Sequence, residues 1–106
     1  MAQTVGIAIT GLPSANGLAR FNVTYAPTGV LLEGYPAYSA GPDMHLFRHP
    51  KLDEWHLDLK PFDPADTGCL AATPAGGGPV PTGAHNWRID LGGGLIDAEL
   101  TAREVA

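Results

Sequence analysis

Residues 33–59 read EGYPAYSAGPDMHLFRHPKLDEWHLDL, and their pattern gives the clearest indication of the fold class. Three of its runs alternate bulky with small or polar residues: 35–38, 44–49 and 55–59. Turn-forming residues separate the runs at Gly41-Pro42 and at Pro50–Glu54. Alternation with a period of two, interrupted by Gly and Pro, is typical of short strands joined by turns. The stretch therefore predicts a β-meander with an aromatic face.

The third run has the clearest two-sided pattern. Every second place is taken by a bulky apolar residue: Trp55, Leu57 and Leu59. The places beside them are polar: Glu54, His56, Asp58 and Lys60. Because successive side chains of a strand point to opposite faces, we expect one face to pack in the core and the other to be fully polar.

Shorter alternating runs on both sides of this stretch predict further strands: residues 5–9, 20–25, 87–91 and 95–101. Residues 69–72 can form one more short strand of small residues. In the run at 20–25, Phe21, Val23 and Tyr25 share one face, and Pro27-Thr28-Gly29 is expected to end the strand. Apolar residues nowhere recur at helical spacing over ten residues, so essentially no long helix is expected. The fold class is all-β: a single small antiparallel β-sandwich or barrel of seven to eight short strands.

Length and composition agree with one small domain. The chain has 106 residues, of which 44% are hydrophobic and 16% charged, with 14 Gly and 10 Pro. This is enough apolar chain for one core, and the Gly and Pro content suits many turns. We expect one domain over residues 1–106, with its core roughly at residues 5–101.

The charge pattern argues against nucleic acid as a partner. The formal net charge is −5, and the six basic residues are scattered along the chain. A phosphate backbone requires a clustered positive surface. No apolar run approaches the ~20 residues of a membrane span, and no positively charged segment precedes an apolar one as in a signal peptide. The compartment stays open, and so does glycosylation of the Asn22-Val23-Thr24 sequon, whose place inside a predicted strand favours a chance match.

A set of turn and aromatic motifs, in a fixed order, carries a resemblance. The motifs are Asn16-Gly17, Tyr25–Gly29, Gly34–Tyr38, Met44–Phe47, Trp55–Leu57 and Pro81–Gly83 before Trp87. Their order resembles short β-rich repeat modules of large multidomain proteins from single-celled algae and related microbes, which have no established activity. Two features depart from that pattern: LARFNVT separates Asn16-Gly17 from Tyr25, and Glu33-Gly34 stands where a second Asn-Gly is usual. The resemblance covers roughly residues 5–101 and implies a non-catalytic scaffold role, with no functional residue carried over.

The residues that could carry chemistry do not form a recognisable catalytic or metal-binding pattern. His45 and His49 share a strand face but lie about 13 Å apart, too far for one ion without a bend, although cross-strand pairing with His56 stays open. The single Cys69 excludes an intrachain disulfide and is expected to be a small buried hydrophobe. We therefore expect neither a cofactor nor an enzyme activity.

Aromatic residues near turns are the candidates for binding. Trp55 and Trp87 are expected in the core, whereas Tyr35, Tyr38 and Phe62 are freer to be exposed and to contact a partner. The favoured function is a non-catalytic protein-interaction or structural module, a small subunit or domain of a larger assembly. The alternative is a small carbohydrate-binding β-sandwich that places exposed rings beside Asp63 and Asp66, and a minor hydrolase is a third possibility.

Overall fold

The computed structural model describes residues 6–63, 65, 69–73, 80, 82–90 and 95–105. Within these residues the chain forms eight antiparallel strands, each paired with the next, and the last returns to the first to close a barrel. The strands are β1 (Gly6–Thr10), β2 (Thr24–Leu32), β3 (Tyr35–Ser39), β4 (His45–His49), β5 (Glu54–Asp58), β6 (Ala71–Ala72), β7 (Gly83–Asp90) and β8 (Leu95–Val105). The all-β prediction is confirmed, and of its two architectures the barrel is the one formed.

The meander predicted over residues 33–59 is confirmed as β3, β4 and β5. Tyr38 pairs with Leu46, and Leu46 pairs with Leu57, so one row of side chains crosses all three strands. The β2–β3 hairpin turns at Glu33 and Gly34, which have φ of 50° and 90°. Two successive positive φ values are the geometry of the tight hairpin turn whose twist matches that of its strands.

The strand predicted at residues 20–25 is wrong. Ala15–Phe21 forms a 3₁₀ helix, and β2 begins only at Thr24. Pro27 does not end β2 but lies inside it opposite Tyr38, and the register shifts between Pro27 and Leu31. Phe21 and Tyr25 are both buried, as their alternation suggested, but Phe21 reaches the core from the helix.

Asn22 explains why the chain leaves the strand pattern here. Its side-chain oxygen accepts a hydrogen bond from the Leu12 N–H at 2.8 Å, and its Nδ2 donates to the Leu12 carbonyl at 3.1 Å. The side chain thus pairs with the backbone as a neighbouring strand would, and it holds the two ends of the β1–β2 connection together. A glycan on Nδ2 would have to displace the second of these bonds.

Large side chains fill the interior of the barrel. The fully buried ones include Trp55 and Trp87, as predicted, together with Tyr25, Leu46 and Leu57. The 3₁₀ helix adds Leu18 and Phe21 to the same cluster. The interior is a packed core, as in other barrels of about eight strands.

We expect Trp55→Ala and Trp87→Ala each to lower the free energy of unfolding by about 3–5 kcal/mol, because each removes a buried indole from a packed core. Urea denaturation followed by circular dichroism measures the loss. Leu95→Ala is the control: Leu95 is 63% exposed, and its truncation should stay within about 0.5 kcal/mol of the wild type. Indole variants as stable as this control would contradict the core assignment.

Asn22→Ala should cost about 1–3 kcal/mol, since it leaves both polar groups of Leu12 without their partner. Asn22→Asp keeps the accepting oxygen but sets a carboxylate oxygen against the Leu12 carbonyl, so it should also lower the stability. The exposed Asn86 on β7 supplies the matched control Asn86→Ala. Equal denaturation midpoints for Asn22→Ala and Asn86→Ala would show that the Leu12 contact is not stabilising.

Candidate functional site

A groove in the outer wall of the barrel is the candidate site, and we call it the outer groove. It encloses about 170 Å³. Its lining is mainly apolar: Thr28, Val30, Leu32, Ala37, Tyr38, His45, Phe47, Pro61 and Phe62. The first three alternate along β2, and His45 and Phe47 alternate along β4, so period-two geometry brings them to one face.

The segment after β5 supplies the other wall of the outer groove. Phe62 packs edge-on against Phe47, with ring centroids 5.6 Å apart, and against His49 at 5.2 Å. The outer face of β5 carries the polar residues that the alternation predicted, but His56 and Asp58 on this face are buried and not solvated. The prediction that Leu59 joins the core is wrong, since its side chain is 44% exposed.

Four aromatic rings form a small second cluster outside the barrel wall, the outer cluster: Phe47, His49, His56 and Phe62. His49 and His56 are 0% and 1% exposed, and their ring centroids lie 5.3 Å apart. The ring centroids of His56 and Phe47 lie 5.8 Å apart. The register brings them together, because Phe47 faces His56 and His49 faces Glu54 across β4 and β5.

Hydrogen bonds fix the two buried imidazoles. His56 Nε2 lies 3.1 Å from Glu54 Oε1, while His56 Nδ1 is buried and has no hydrogen-bond partner in the described part of the chain. His49 Nδ1 accepts a hydrogen bond from the Lys51 backbone N–H at 3.3 Å. In His49 the contact with Lys51 uses Nδ1 as the acceptor, and in His56 the polar contact of the ring is made by Nε2.

His45, the third histidine of the meander, lies outside the outer cluster. His45 Nε2 contacts the Pro42 carbonyl oxygen at 2.9 Å. The cross-strand pairing that the sequence left open thus joins His56 to His49 and not to His45. In the described ranges, no three His, Cys, Asp or Glu side chains gather so as to hold a metal ion.

Two of the three predicted binding residues line the outer groove. Phe62 forms one wall and is half-buried. Tyr38 also reaches the groove, but the expected exposure is wrong: it is only 7% exposed, because it packs on Trp55 inside the barrel. Burial, and secondly the charge of Glu104, raises the pKa of its hydroxyl.

Tyr35 lies outside the outer groove. Its ring meets Trp55 edge-on with centroids 6.4 Å apart, and the Arg48 guanidinium lies 4.7 Å above its centroid. The same Arg48 pairs with Asp53. Trp55 and Arg48 thus hold the Tyr35 ring against the barrel. A role for Tyr35 in binding stays a prediction.

Sequence reasoning missed Val30, Leu32 and Phe47 as parts of a site. Because the second strand is expected to end at Pro27–Gly29, the sequence does not place Val30 and Leu32 on a strand face. The available signal was the alternation of Thr28, Val30 and Leu32 beyond the proline. For Phe47 the sequence indicates only a bulky residue of the meander. Nothing near it in the sequence shows what covers the outer face of β4.

Cys69 is half-buried and close to several charges. Burial, followed by the charges of Asp58 and Glu54, raises the pKa of its thiol from 9.0 to about 12. At neutral pH the thiol therefore keeps its proton and is a poor nucleophile.

Alkylation of Cys69 by iodoacetamide at about pH 8 should be at least tenfold slower in the folded protein than in urea, because the thiolate is the reacting species. Mass spectrometry measures the rate. Asp58→Asn removes one charge that raises the pKa and should speed the reaction of the folded protein. Equal rates in folded and unfolded protein would contradict the raised pKa.

Comparisons with protein-family models, with curated proteins and with solved structures find no match to this chain. The resemblance to β-rich repeat modules therefore stays a prediction. Of the helical residues that are described, none belongs to a helix long and apolar enough to cross a membrane.

Proposed function

We propose that this chain is a non-catalytic protein-interaction module, a small subunit or domain of a larger assembly, and that the outer groove receives one apolar side chain of a protein partner. The observation that carries the proposal is an open apolar groove on a barrel whose interior is packed. Trp55, Trp87 and Tyr25 occupy the interior and are all fully buried. Binding is accordingly assigned to the outer wall.

The size of the outer groove favours a single side chain over a small-molecule ligand. Sites for drug-sized ligands usually measure about 300–1,000 Å³, whereas a cavity of about 150 Å³ takes up benzene. The groove encloses about 170 Å³. It thus suits one phenyl ring or one branched aliphatic group.

The wall of the groove is itself accessible. Val30 in its lining is 53% exposed. Exposed apolar side chains in a groove are typical of surfaces that protein partners cover. Leu31 is 64% exposed, but as the next residue of β2 it points to the opposite face and does not extend the groove.

The carbohydrate-binding alternative has less support. A sugar ring stacks on exposed aromatic faces, but Tyr35, Tyr38 and Phe62 all make tilted or edge-on contacts with other rings. The carboxylate of Asp63 accepts a hydrogen bond from the Ala65 N–H. Asp66, the second acid of that hypothesis, lies outside the described residues.

Val30→Glu should weaken partner binding at least tenfold, because it places a charge at an apolar contact. The partner is first isolated by affinity capture from the native source with the wild-type chain, and the dissociation constants are then measured by calorimetry. Leu95→Glu is the matched control: Leu95 is 63% exposed, but it lies on β8, outside the groove. Equal affinities of the two variants would overturn the assignment of the groove.

A further inference from the structure

We infer that the outer groove selects a tyrosine side chain of the protein partner, with the ring among the apolar lining and the phenolic hydroxyl donating to His45 Nδ1. The inference rests on the proposed function, since it names the residue that the groove receives. The groove could receive an apolar side chain without this selectivity. The experiment below therefore compares ligands with and without a hydroxyl, so that the two proposals can fail separately.

His45 lies at one end of the outer groove. It pairs with Ser39, next to the turn that joins β3 and β4, whereas Val30 and Leu32 lie toward the turn that joins β2 and β3. Its ring lines the groove together with Phe47, which shares its face of β4. The groove therefore carries one imidazole at the end of a mainly apolar lining.

The hydrogen bond of His45 determines which ring nitrogen is left for a ligand. Its Nε2 lies 2.9 Å from the Pro42 carbonyl oxygen. A carbonyl oxygen can only accept, and a neutral imidazole carries a single N–H, so this hydrogen is on Nε2. Nδ1 is then a bare acceptor. It has no partner in the described part of the chain and is not among the nitrogens buried there without a partner, so a ligand can reach it.

The other polar side chains of the lining offer no donor. The Thr28 hydroxyl donates to the Ala37 carbonyl oxygen at 3.0 Å, and its oxygen accepts the Val30 N–H at 3.2 Å. Tyr38 pairs with the fully buried Leu46, so its hydroxyl is directed into the barrel. The polar side chains of the groove can thus accept a hydrogen bond from a ligand but cannot donate one.

An apolar group that covers His45 Nδ1 would lose free energy. In the open groove this nitrogen can accept a hydrogen bond from water. Phenylalanine or leucine would exclude that water and leave an acceptor without a donor, whereas a phenol replaces the water with its own hydroxyl. A site that hydrogen-bonds a hydroxyl in this way discriminates against the analogue that lacks it.

Of the side chains that a protein partner can present, tyrosine matches the lining best. Its phenol combines an apolar ring with one hydroxyl, which keeps its hydrogen at neutral pH. Lysine and arginine also donate, but burying their charge in an apolar groove costs free energy. Tryptophan donates too, but its indole is larger than the one phenyl ring that about 170 Å³ suits. Tyrosine is also among the residues that most often anchor protein interfaces.

The side-chain analogues p-cresol and toluene test this selectivity, because they differ only in the hydroxyl. Both are titrated into the full chain at about pH 8, where a histidine side chain is ordinarily neutral, and binding is followed by nuclear magnetic resonance. Shifts of the Val30, Phe47 and Phe62 resonances identify binding in the outer groove. In His45→Phe the ratio of the toluene to the p-cresol dissociation constant should fall about fivefold, the scale of one net hydrogen bond.

His85→Phe is the matched control. His85 Nε2 contacts the Thr82 carbonyl oxygen at 2.8 Å, also three residues back, but His85 is exposed on β7 and does not line the groove. Its replacement removes the same kind of contact and should leave the ratio unchanged. A ratio that is equal in the wild type and His45→Phe overturns the tyrosine assignment and leaves the groove standing. Binding of neither compound contradicts the groove itself, and with it the proposed function.

A second measurement does not require the variant to fold. The nitrogen resonance of His45 Nδ1 in the wild type should move to lower frequency when p-cresol is added, because the atom then accepts a hydrogen bond, and toluene should leave it nearly in place. Equal movement with both compounds overturns the hydrogen bond. Methylindole, the side-chain analogue of tryptophan, should bind more weakly than p-cresol, and equal or tighter binding overturns the choice of tyrosine.

Discussion

The pairing of β8 with β1 closes the barrel and thereby fixes the neighbours of every strand. Five residue pairs, from Gly6 with Val105 to Thr10 with Thr101, join the ends of the described chain. Closure gives every strand two neighbours and fixes which side chains point inward. It also requires close approach: a Cβ at Gly11 would lie 2.7 Å from the Glu99 carbonyl oxygen, and Gly11 has φ of 106°. Only glycine meets both conditions where the chain leaves β1.

The proposed binding groove lies on the outer wall of a barrel whose interior is a core of two indoles and a tyrosine. In most such walls the outward side chains are polar and solvated. On β4 and β5, Phe47, His49 and His56 are instead buried. Phe62 covers part of this face, because its ring packs against Phe47 and His49.

The meander was predictable from sequence because its strands are defined by local alternation and by turns. The same period of two predicted which side chains face the core, and Trp55 and Leu57 are indeed buried there. The outer face of the meander could not be predicted, since the cover comes from Phe62, in a loop with no periodic signal. The 3₁₀ helix was missed for a related reason. Phe21 and Tyr25 alternate as in a strand, and only the contact between Asn22 and Leu12, ten residues apart, shows that the chain turns there.

Packing alone does not account for histidine at position 56. A phenylalanine there would pack against Phe47 and His49 with a similar ring shape and would bury no nitrogen without a partner. Since an apolar replacement of a buried polar group is often neutral or stabilising, the imidazole is retained at a cost in stability. Glu54 recovers part of this cost through its hydrogen bond to Nε2. What remains is a buried Nδ1 with no hydrogen-bond partner in the described part of the chain, on a ring that packs behind the Phe47 wall of an apolar groove, and this polar atom separates His56 from the apolar residues that would otherwise occupy a strand buried on both faces.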